Sequence, residues 1–273
     1  MKIKLILLLL SFGVVAFGQK MPSDYFQEAT RYFNEGDMDK ALEGYLYIVE
    51  NHPRNELYPR ALHNVGYVYF LQRKYQESVD AYTKLLNGGH NELEPLGGDI
   101  MADPYTNFRH RAATQISDCY YELGQYDSAL HYLALSDTVY KYISTCGNAY
   151  AEYYIRTALR YADIYQKLGQ PDKAIGKLLP QVFDSGLADN SKIIAKLKKL
   201  LKGKPKLLKQ LDKAIDGVYL KTFTSDYGDY ERYCIQWLGV EIRYPYKPWE
   251  ENTKETVMKK MRESEFYKMV AGL

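Results

Sequence analysis

The sequence predicts an all-α chain: a solenoid of about four helix pairs, a helical cap, and a small aromatic-rich C-terminal region. Three observations carry this expectation. A pattern of small and aromatic residues recurs four times in order, and three of the four copies hold a glycine at the same internal position. After Pro180 the pattern stops and gives way to two lysine-rich amphipathic stretches, followed by a run of aromatics. The 273 residues are 46% hydrophobic and 26% charged, which is the composition of a folded chain and excludes global disorder. Three cysteines are too few for a disulfide scaffold, and a chain of this length can bury a sufficient core without one.

Residues 1–18 read as an export signal. Lys2 and Lys4 form a basic start, Leu5 to Leu10 with Val14 and Val15 an apolar stretch, and Ala16-Phe17-Gly18 a small-x-small cleavage site before Gln19. The alternative, an uncleaved anchor, meets an apolar run of about 14 residues, short of the roughly 20 that span a bilayer. No cysteine follows the apolar stretch, so a lipid-anchored form is not expected. The product should be periplasmic or secreted, with no transmembrane segment after cleavage. Removing Lys2 and Lys4 leaves 34 basic residues against 34 acidic ones, so global affinity for polyanions, nucleic acid included, is not indicated.

Residues 19–180 hold the repeats. Ala29, Tyr32, Ala41 and Tyr45 are separated by three, nine and four residues. The same spacing returns at Gly66, Tyr69, Ser78, Tyr82, at Ser117, Tyr120, Ala129, Leu133, and at Ala162, Tyr165, Ala174, Leu178. Gly36, Gly124 and Gly169 stand seven residues after the first small residue, where a helix must end and the chain turn. Each unit is therefore helix, turn, helix. Small residues let two antiparallel helices approach, and tyrosines fill the space between pairs. Gly66 is expected at such a contact, with no room for a larger side chain, whereas Gly88 is expected in a loop that tolerates one.

These residues resemble the tetratricopeptide repeat, whose pattern runs small residue, Tyr, turn, Ala, aromatic, closing proline. The first unit follows it through Tyr25, Ala29, Tyr32, Gly36, Ala41, Tyr45 and Pro53, with Tyr25 in place of the opening tryptophan. The second-helix small residues are 37, 51 and 45 residues apart instead of the family's 34, so the array carries insertions. The longest runs from Asn87 to Phe108 and reads as a loop. Its His90, Glu92, Glu94, Asp99 and Asp103 lack the spacing of a zinc site, and a solvated loop is expected there, with no metal and no cofactor.

Residues 181–218 read as a helical hairpin capping the solenoid. Ile193, Ile194, Leu197, Leu200 and Leu201 form one stripe, Gly203 and Pro205 interrupt, and Leu207, Leu208, Leu211, Ala214, Ile215 and Val218 form another. Asp212-Lys213-Ala214 echoes Asp39-Lys40-Ala41, but a fifth repeat would place Pro205 inside its first helix. Lys192 to Lys213 holds nine lysines and one acid, either a solvated face or a contact for an acidic partner or anionic surface. Nucleic acid is not expected, because no aromatics interleave with these lysines. Residues 219–273 form the aromatic-rich region. Tyr233 to Trp237 and Val240 to Tyr244 read either as two strands around Leu238-Gly239 or as one irregular helix, and Asn252 or Thr253 starts a final helix through Val270.

Catalytic motifs are absent from the sequence: there is no Gly-x-Ser-x-Gly elbow, phosphate loop or dinucleotide fingerprint. Cys119 and Cys146 read as a thiol nucleophile beside His110 or His131, as buried apolar groups, or as members of a disulfide among Cys119, Cys146 and Cys234. The expectation is a non-catalytic scaffold. Its repeat resemblance implies a peptide or protein partner in a groove lined by the first helix of each pair. The family's register places Arg60, Arg111 and Arg156 at one equivalent site, with His63, Asn64, Tyr67, Asp118, Arg160 and Asp163 on the same faces. Arg156 and Arg160, four apart, could grip a carboxylate together. Phe26, Thr30, His63 and Tyr67 stand where the family's carboxylate clamp has lysine and asparagine. The alternative function is a cell-envelope glycan- or surface-binding protein using the C-terminal aromatics, favoured by exposed Trp237 and Trp249. Intact mass of the exported product checks the first of these readings: a chain beginning at Gln19 is expected, and retention of residues 1–18 counts against export in soluble form.

Overall fold

The computed structural model describes residues 20–95, 105–225 and 228–273. Residues 1–18, read above as an export signal, lie outside the described residues. Four helix pairs follow in order: α1 (Pro22–Glu35) with α2 (Met38–Asn51), α3 (Tyr58–Leu71) with α4 (Tyr75–Asn87), α5 (Phe108–Glu122) with α6 (Tyr126–Thr138), and α7 (Gly147–Lys167) with α8 (Pro171–Leu178). The hairpin is α9 (Ser191–Leu201) and α10 (Leu207–Asp216), reached through a short 3-10 turn at Leu179–Gln181.

The same hydrogen bond closes the first helix of every pair. The carbonyls of Tyr32, Tyr69, Tyr120 and Tyr165 accept the N–H five residues on, from Asp37, Lys74, Gln125 and Gln170, at 2.9, 2.9, 2.8 and 2.8 Å. This six-residue closure needs a left-handed residue just before the donor. Gly36, Gly124 and Gly169 supply it with φ of 84°, 73° and 70°. The second pair uses Arg73 at φ 61°, so its turn has the geometry of the others without their glycine. A side chain in that region costs about 1 to 2 kcal/mol.

Within the pairs, backbones approach until almost nothing fits between them. A Cβ on Gly44 would lie 2.8 Å from the Ala29 methyl, and one on Gly66 would lie 2.8 Å from the ring of fully buried Tyr82. Ser78 Oγ donates to the Gly66 carbonyl at 2.8 Å and Ser117 Oγ to the Ala129 carbonyl at 2.7 Å, which satisfies buried hydroxyls across two of the contacts. The thiol of Cys119 reaches Ser78 Oγ at 3.2 Å, tying the second pair to the third.

Two main cores result. One gathers Ala29, Ala41, Tyr45, Leu62, Tyr82 and Ile116 from α1 to α5. The other runs from Ala162, Ala174 and Leu178 of the last pair through Ile193, Leu197, Leu211 and Ile215 of the hairpin to Trp237, Ile242, Met261 and Phe266. Ala129, Leu133, Tyr161 and Ile164 join α6 to α7 between them. The hairpin thus covers the apolar face that the last repeat would otherwise leave to water.

The all-α expectation is corrected by a three-stranded antiparallel sheet in the order β1 (Tyr219–Ser225), β2 (Gly228–Trp237), β3 (Val240–Arg243). Of the two readings of this segment, the strands hold, and β1 extends them to a meander. Leu238 and Gly239 take φ of 50° and 77°, the two positive values of a two-residue hairpin turn whose twist matches its strands. Alternation then turns Ile235, Trp237 and Ile242 into the core, with Trp237 edge-on to Phe266 at 5.4 Å between ring centres. The expected final helix is broken in two. Ser264 accepts the Tyr267 N–H on its Oγ at 3.1 Å, ending α11 (Lys254–Glu263) and capping α12 (Glu265–Ala271).

The ends of the 87–108 insertion are ordered against each other and against the repeats. Thr106 and Asn107 donate backbone N–H groups to the carbonyls of Glu94 and Glu92 at 3.0 and 3.2 Å, and Pro95 bridges to Tyr105. Glu92 and Glu94 are committed to Arg109 and Arg60, both at 2.8 Å, while Asp99 and Asp103 lie outside the described residues. A Cβ on Gly88, whose φ is −78°, would meet only the tip of the part-exposed His90 ring, which can turn aside, and one on Gly89 would meet nothing within 4 Å.

Two substitutions test this packing by thermal or urea unfolding. Gly66→Ala should lose about 1 to 3 kcal/mol to overpacking against Tyr82, with Gly89→Ala close to neutral. Arg73→Gly should gain about 0.5 to 1 kcal/mol, the left-handed strain relieved less the glycine's extra entropy in the unfolded chain. A loss on Arg73→Gly, or equal losses for Gly66 and Gly89, would contradict the repeat geometry.

Candidate binding groove

The first helices α3, α5 and α7 together border a cavity of about 270 Å³. Its lining takes His63 and Tyr67 from α3, His110, Arg111, Thr114 and Gln115 from α5, and Tyr153, Arg156, Thr157 and Arg160 from α7, with Tyr142 from the loop before α7. A smaller cavity of about 130 Å³ adjoins it through Arg160 and is bordered by Asp118 and Asp163. Of the nine residues predicted for the groove, five line the larger cavity and Asp118 and Asp163 the smaller. Arg60 and Asn64 border neither.

The arginines at the equivalent repeat position have different surroundings. Arg60 is held by Glu94 and by the Pro95 carbonyl at 2.7 Å. Arg111 donates from Nε to the Thr106 carbonyl at 2.8 Å and lies half-buried. Arg156 is exposed and makes no ion pair among the described residues. The predicted pairing of Arg156 with Arg160 on one carboxylate is corrected: Arg160 already holds Asp118 with two bonds of 3.0 and 2.9 Å. Asp163 is the ion-pair partner of Lys196 on α9, so this groove residue fastens the cap to the last repeat.

The two histidines of the cavity are neutral at physiological pH. Burial, and then the Arg111 charge, push His63 down to about 4, with Asn64 acting weakly the other way. His110 is lowered chiefly by burial. Its Nδ1–H donates to the carbonyls of Ser136 and Tyr140 at 3.1 and 2.9 Å, which leaves Nε2 without the proton. Positive charge in the groove therefore comes from guanidinium groups. From α6, Asp137 accepts from the hydroxyls of Tyr153 and Tyr161 on α7 at 2.9 and 3.4 Å and raises both phenols beyond what burial already does.

Thr114, Gln115, Tyr153 and Thr157 were not anticipated. Their signal was present in the helical spacing around Arg111, Arg156 and Arg160, each lying three or four residues from one of these arginines. Tyr142 sits in an irregular loop and gave none.

At Cys119 the candidate thiol chemistry does not assemble. Cys119 is buried, raised to about 11 by desolvation, and bonded to Ser78, while His110 is committed to carbonyls and the His131 ring lies edge-on to Tyr132. All three cysteines are free. Trp237 is 2% exposed and Trp249 68%, so only the second is available as the surface aromatic of the glycan reading. On the cap, Lys196 and Lys204 pair with Asp163 and Asp172, and the remaining lysines between Lys192 and Lys213 are exposed.

The His63 environment predicts a pH dependence. A histidine whose folded pKa lies below its unfolded value of about 6.5 binds fewer protons folded than unfolded, so its stabilising share is complete above pH 6.5 and is lost as pH falls toward 4. Comparing unfolding of the natural protein and His63→Gln at pH 4 and pH 7 should show the difference between them changing by about 3 kcal/mol. A constant difference would mean that His63 is solvated.

Residues 59–87, which span α3 and α4, match the family model described as tetratricopeptide repeat. No curated protein matches the chain. Among solved structures it is similar to a thermophilic TPR protein of Thermus thermophilus, at 18% identity over 72% of this chain and 91% of that one, with a TM-score of 0.42. A TPR repeats protein of Bacteroides fragilis is 14% identical over 72% and 78%, TM-score 0.39, and one of Parabacteroides merdae 17% over 66% and 72%, TM-score 0.37. The second helix pair is thus similar in sequence to a tetratricopeptide repeat, and the other three pairs repeat its helix, turn, helix construction.

Proposed function

We propose that this chain is an exported, non-catalytic scaffold whose groove between α3, α5 and α7 holds an acidic peptide or protein segment. The observation that carries the reading is Arg156: an exposed guanidinium with no ion pair among the described residues, at the edge of a cavity otherwise lined by hydrogen-bonding side chains and two neutral histidines. A carboxylate placed there gains two parallel N–H bonds without first breaking an existing pair. Thr114, Gln115 and Thr157 offer donors and acceptors to an extended backbone alongside. The tetratricopeptide-repeat likeness supports a binding role, since such repeats generally serve as protein-interaction scaffolds. The signal-like segment at 1–18 supports export, and no helix among the described residues is long and apolar enough to cross a membrane. The exposed cap lysines extend the positive surface toward an acidic partner.

An array of acidic peptides, with free and with amidated C-termini, tests the groove. Arg156→Glu should reduce binding of its best peptides by tenfold or more with the circular dichroism spectrum unchanged. Arg60→Gln should leave binding intact, because Arg60 is already held by Glu94. Equal binding by the natural protein and Arg156→Glu would remove the groove from the function.

A further inference from the structure

A second cavity, of about 300 Å³, lies between the N-terminal half of α7 and the sheet. Its lining contains two arginines, Arg232 and Arg243, and no aspartate or glutamate. The two share one face of the sheet: Cys234 is the register partner of Arg243, so Arg232, two residues before Cys234, is its diagonal neighbour at about 7 to 8 Å. Lys221, opposite Arg232 on β1, is neutralised by Glu241 at 2.9 Å. Among the described residues neither arginine has an ion pair, and the side-chain hydrogen bond of Arg232 runs from Nη1 to its neighbour's carbonyl at 2.7 Å.

Both guanidinium groups are instead held against rings. Arg232 lies over Tyr230 and Tyr246 at 4.7 and 5.2 Å from the ring centres, and Arg243 over Phe223 at 4.0 Å. Stacking fixes the plane of a guanidinium while leaving its edge N–H groups free, which is the geometry that receives an oxyanion in bidentate fashion. Two like charges kept side by side, with no aspartate or glutamate among the described lining residues, make a positive field that favours an anion from outside; the acid nearest Arg243 on this face, Glu241, is shared with Lys221. The rest of the lining suits a saturated ring. Pro180 and Pro245, with the edges of Tyr230 and Tyr244, supply apolar surface for C–H groups, and the Gln181 amide can meet hydroxyls. An extended peptide would need a row of free backbone partners, and the cavity's second amide, Asn190, is already spent on the carbonyls of Gln181 and Val182 at 3.1 and 2.9 Å. A cavity of this volume takes one or two sugar rings.

We propose that this cleft binds an acidic sugar of the uronic-acid class, its carboxylate gripped by Arg232 and Arg243. The site is separate from the α3, α5, α7 groove and does not depend on the reading of that groove. Isothermal titration of the full-length mature chain with trigalacturonic acid, with maltotriose as the neutral control, tests it. Trigalacturonic acid should bind and maltotriose should bind at least tenfold more weakly. Arg232→Gln with Arg243→Gln should weaken the acidic sugar by tenfold or more with the fold intact by circular dichroism. Arg156→Glu should leave it unchanged, so that failure of the groove reading is distinguishable. Absence of binding, equal binding of the two sugars, or an unaffected double variant would overturn the proposal. So would inorganic sulfate or a glutamate-rich peptide binding at these arginines as tightly as the sugar does.

Discussion

Everything in the repeat region depends on how closely the two helices of a pair approach. At Ala29 against Gly44, and at Gly66 against Tyr82, there is no space for one more methyl group. That distance makes the serine-to-carbonyl bonds of Ser78 and Ser117 possible, since a hydroxyl reaches a backbone oxygen of the facing helix only when the axes are close. The turn is the second half of the same constraint. Each first helix ends in an identical closure onto a tyrosine carbonyl, so the second helix leaves in the same direction four times. First helices consequently stand side by side, and their equivalent residues fall along one wall.

Equivalence of position does not make equivalent chemistry, and the insertions explain why. The segment between the second and third pairs brings Glu94 to Arg60 and the Thr106 carbonyl to Arg111. The segment between the third and fourth pairs, residues 139–146, contains no aspartate or glutamate. Arg156 therefore meets no acid where the chain re-enters the array. A half-buried pair such as Arg60 with Glu94 loses little by screening and would have to be broken, with both charges re-solvated, before a ligand could use the arginine. The groove's available charge is concentrated at its α7 end by what the loops supply, while the repeat itself is neutral on the matter.

The helix pairs, their turns and the cap hairpin were legible because each rests on local signals: small residues at helical spacing, glycine where the backbone turns left-handed, and amphipathic stripes. Arg73 shows that one missing glycine does not erase the turn when three neighbouring signals agree. The sheet was hard to read because its hairpin turn carries Leu238 where asparagine or aspartate would announce it, and because β1 hides its alternation among exposed Lys221, Thr222 and Thr224. Ser264 cut the last helix at a position where a serine is neutral in a sequence pattern and decisive only once its hydroxyl caps the next helix. In the groove, residue identities could be carried by register, but their partners could not. Glu94, Thr106 and Lys196 come from other elements, and no spacing within α3, α5 or α7 points to them.

The length of α7 links the two ends of the molecule. The first helices of the other pairs have 14 or 15 residues and α7 has 21, the excess lying at its N-terminal side. The N-terminal half of α7 carries Ala151 and Ile155 to the cleft beside the sheet, Tyr153 to the groove and to Asp137, and Tyr154 to the surface between them. One rigid helix thus forms a wall of the groove on one side and a wall of the arginine cleft on another. A helix used on several faces must be anchored by something other than its own pair. The anchors are Tyr142, Ala149 and Tyr153 packed together at its start, and the Lys196 to Asp163 ion pair near its end. The cap is therefore more than a cover for the last repeat: without α9, α7 would keep its turn onto α8 but lose the Lys196 to Asp163 ion pair that fastens its C-terminal half.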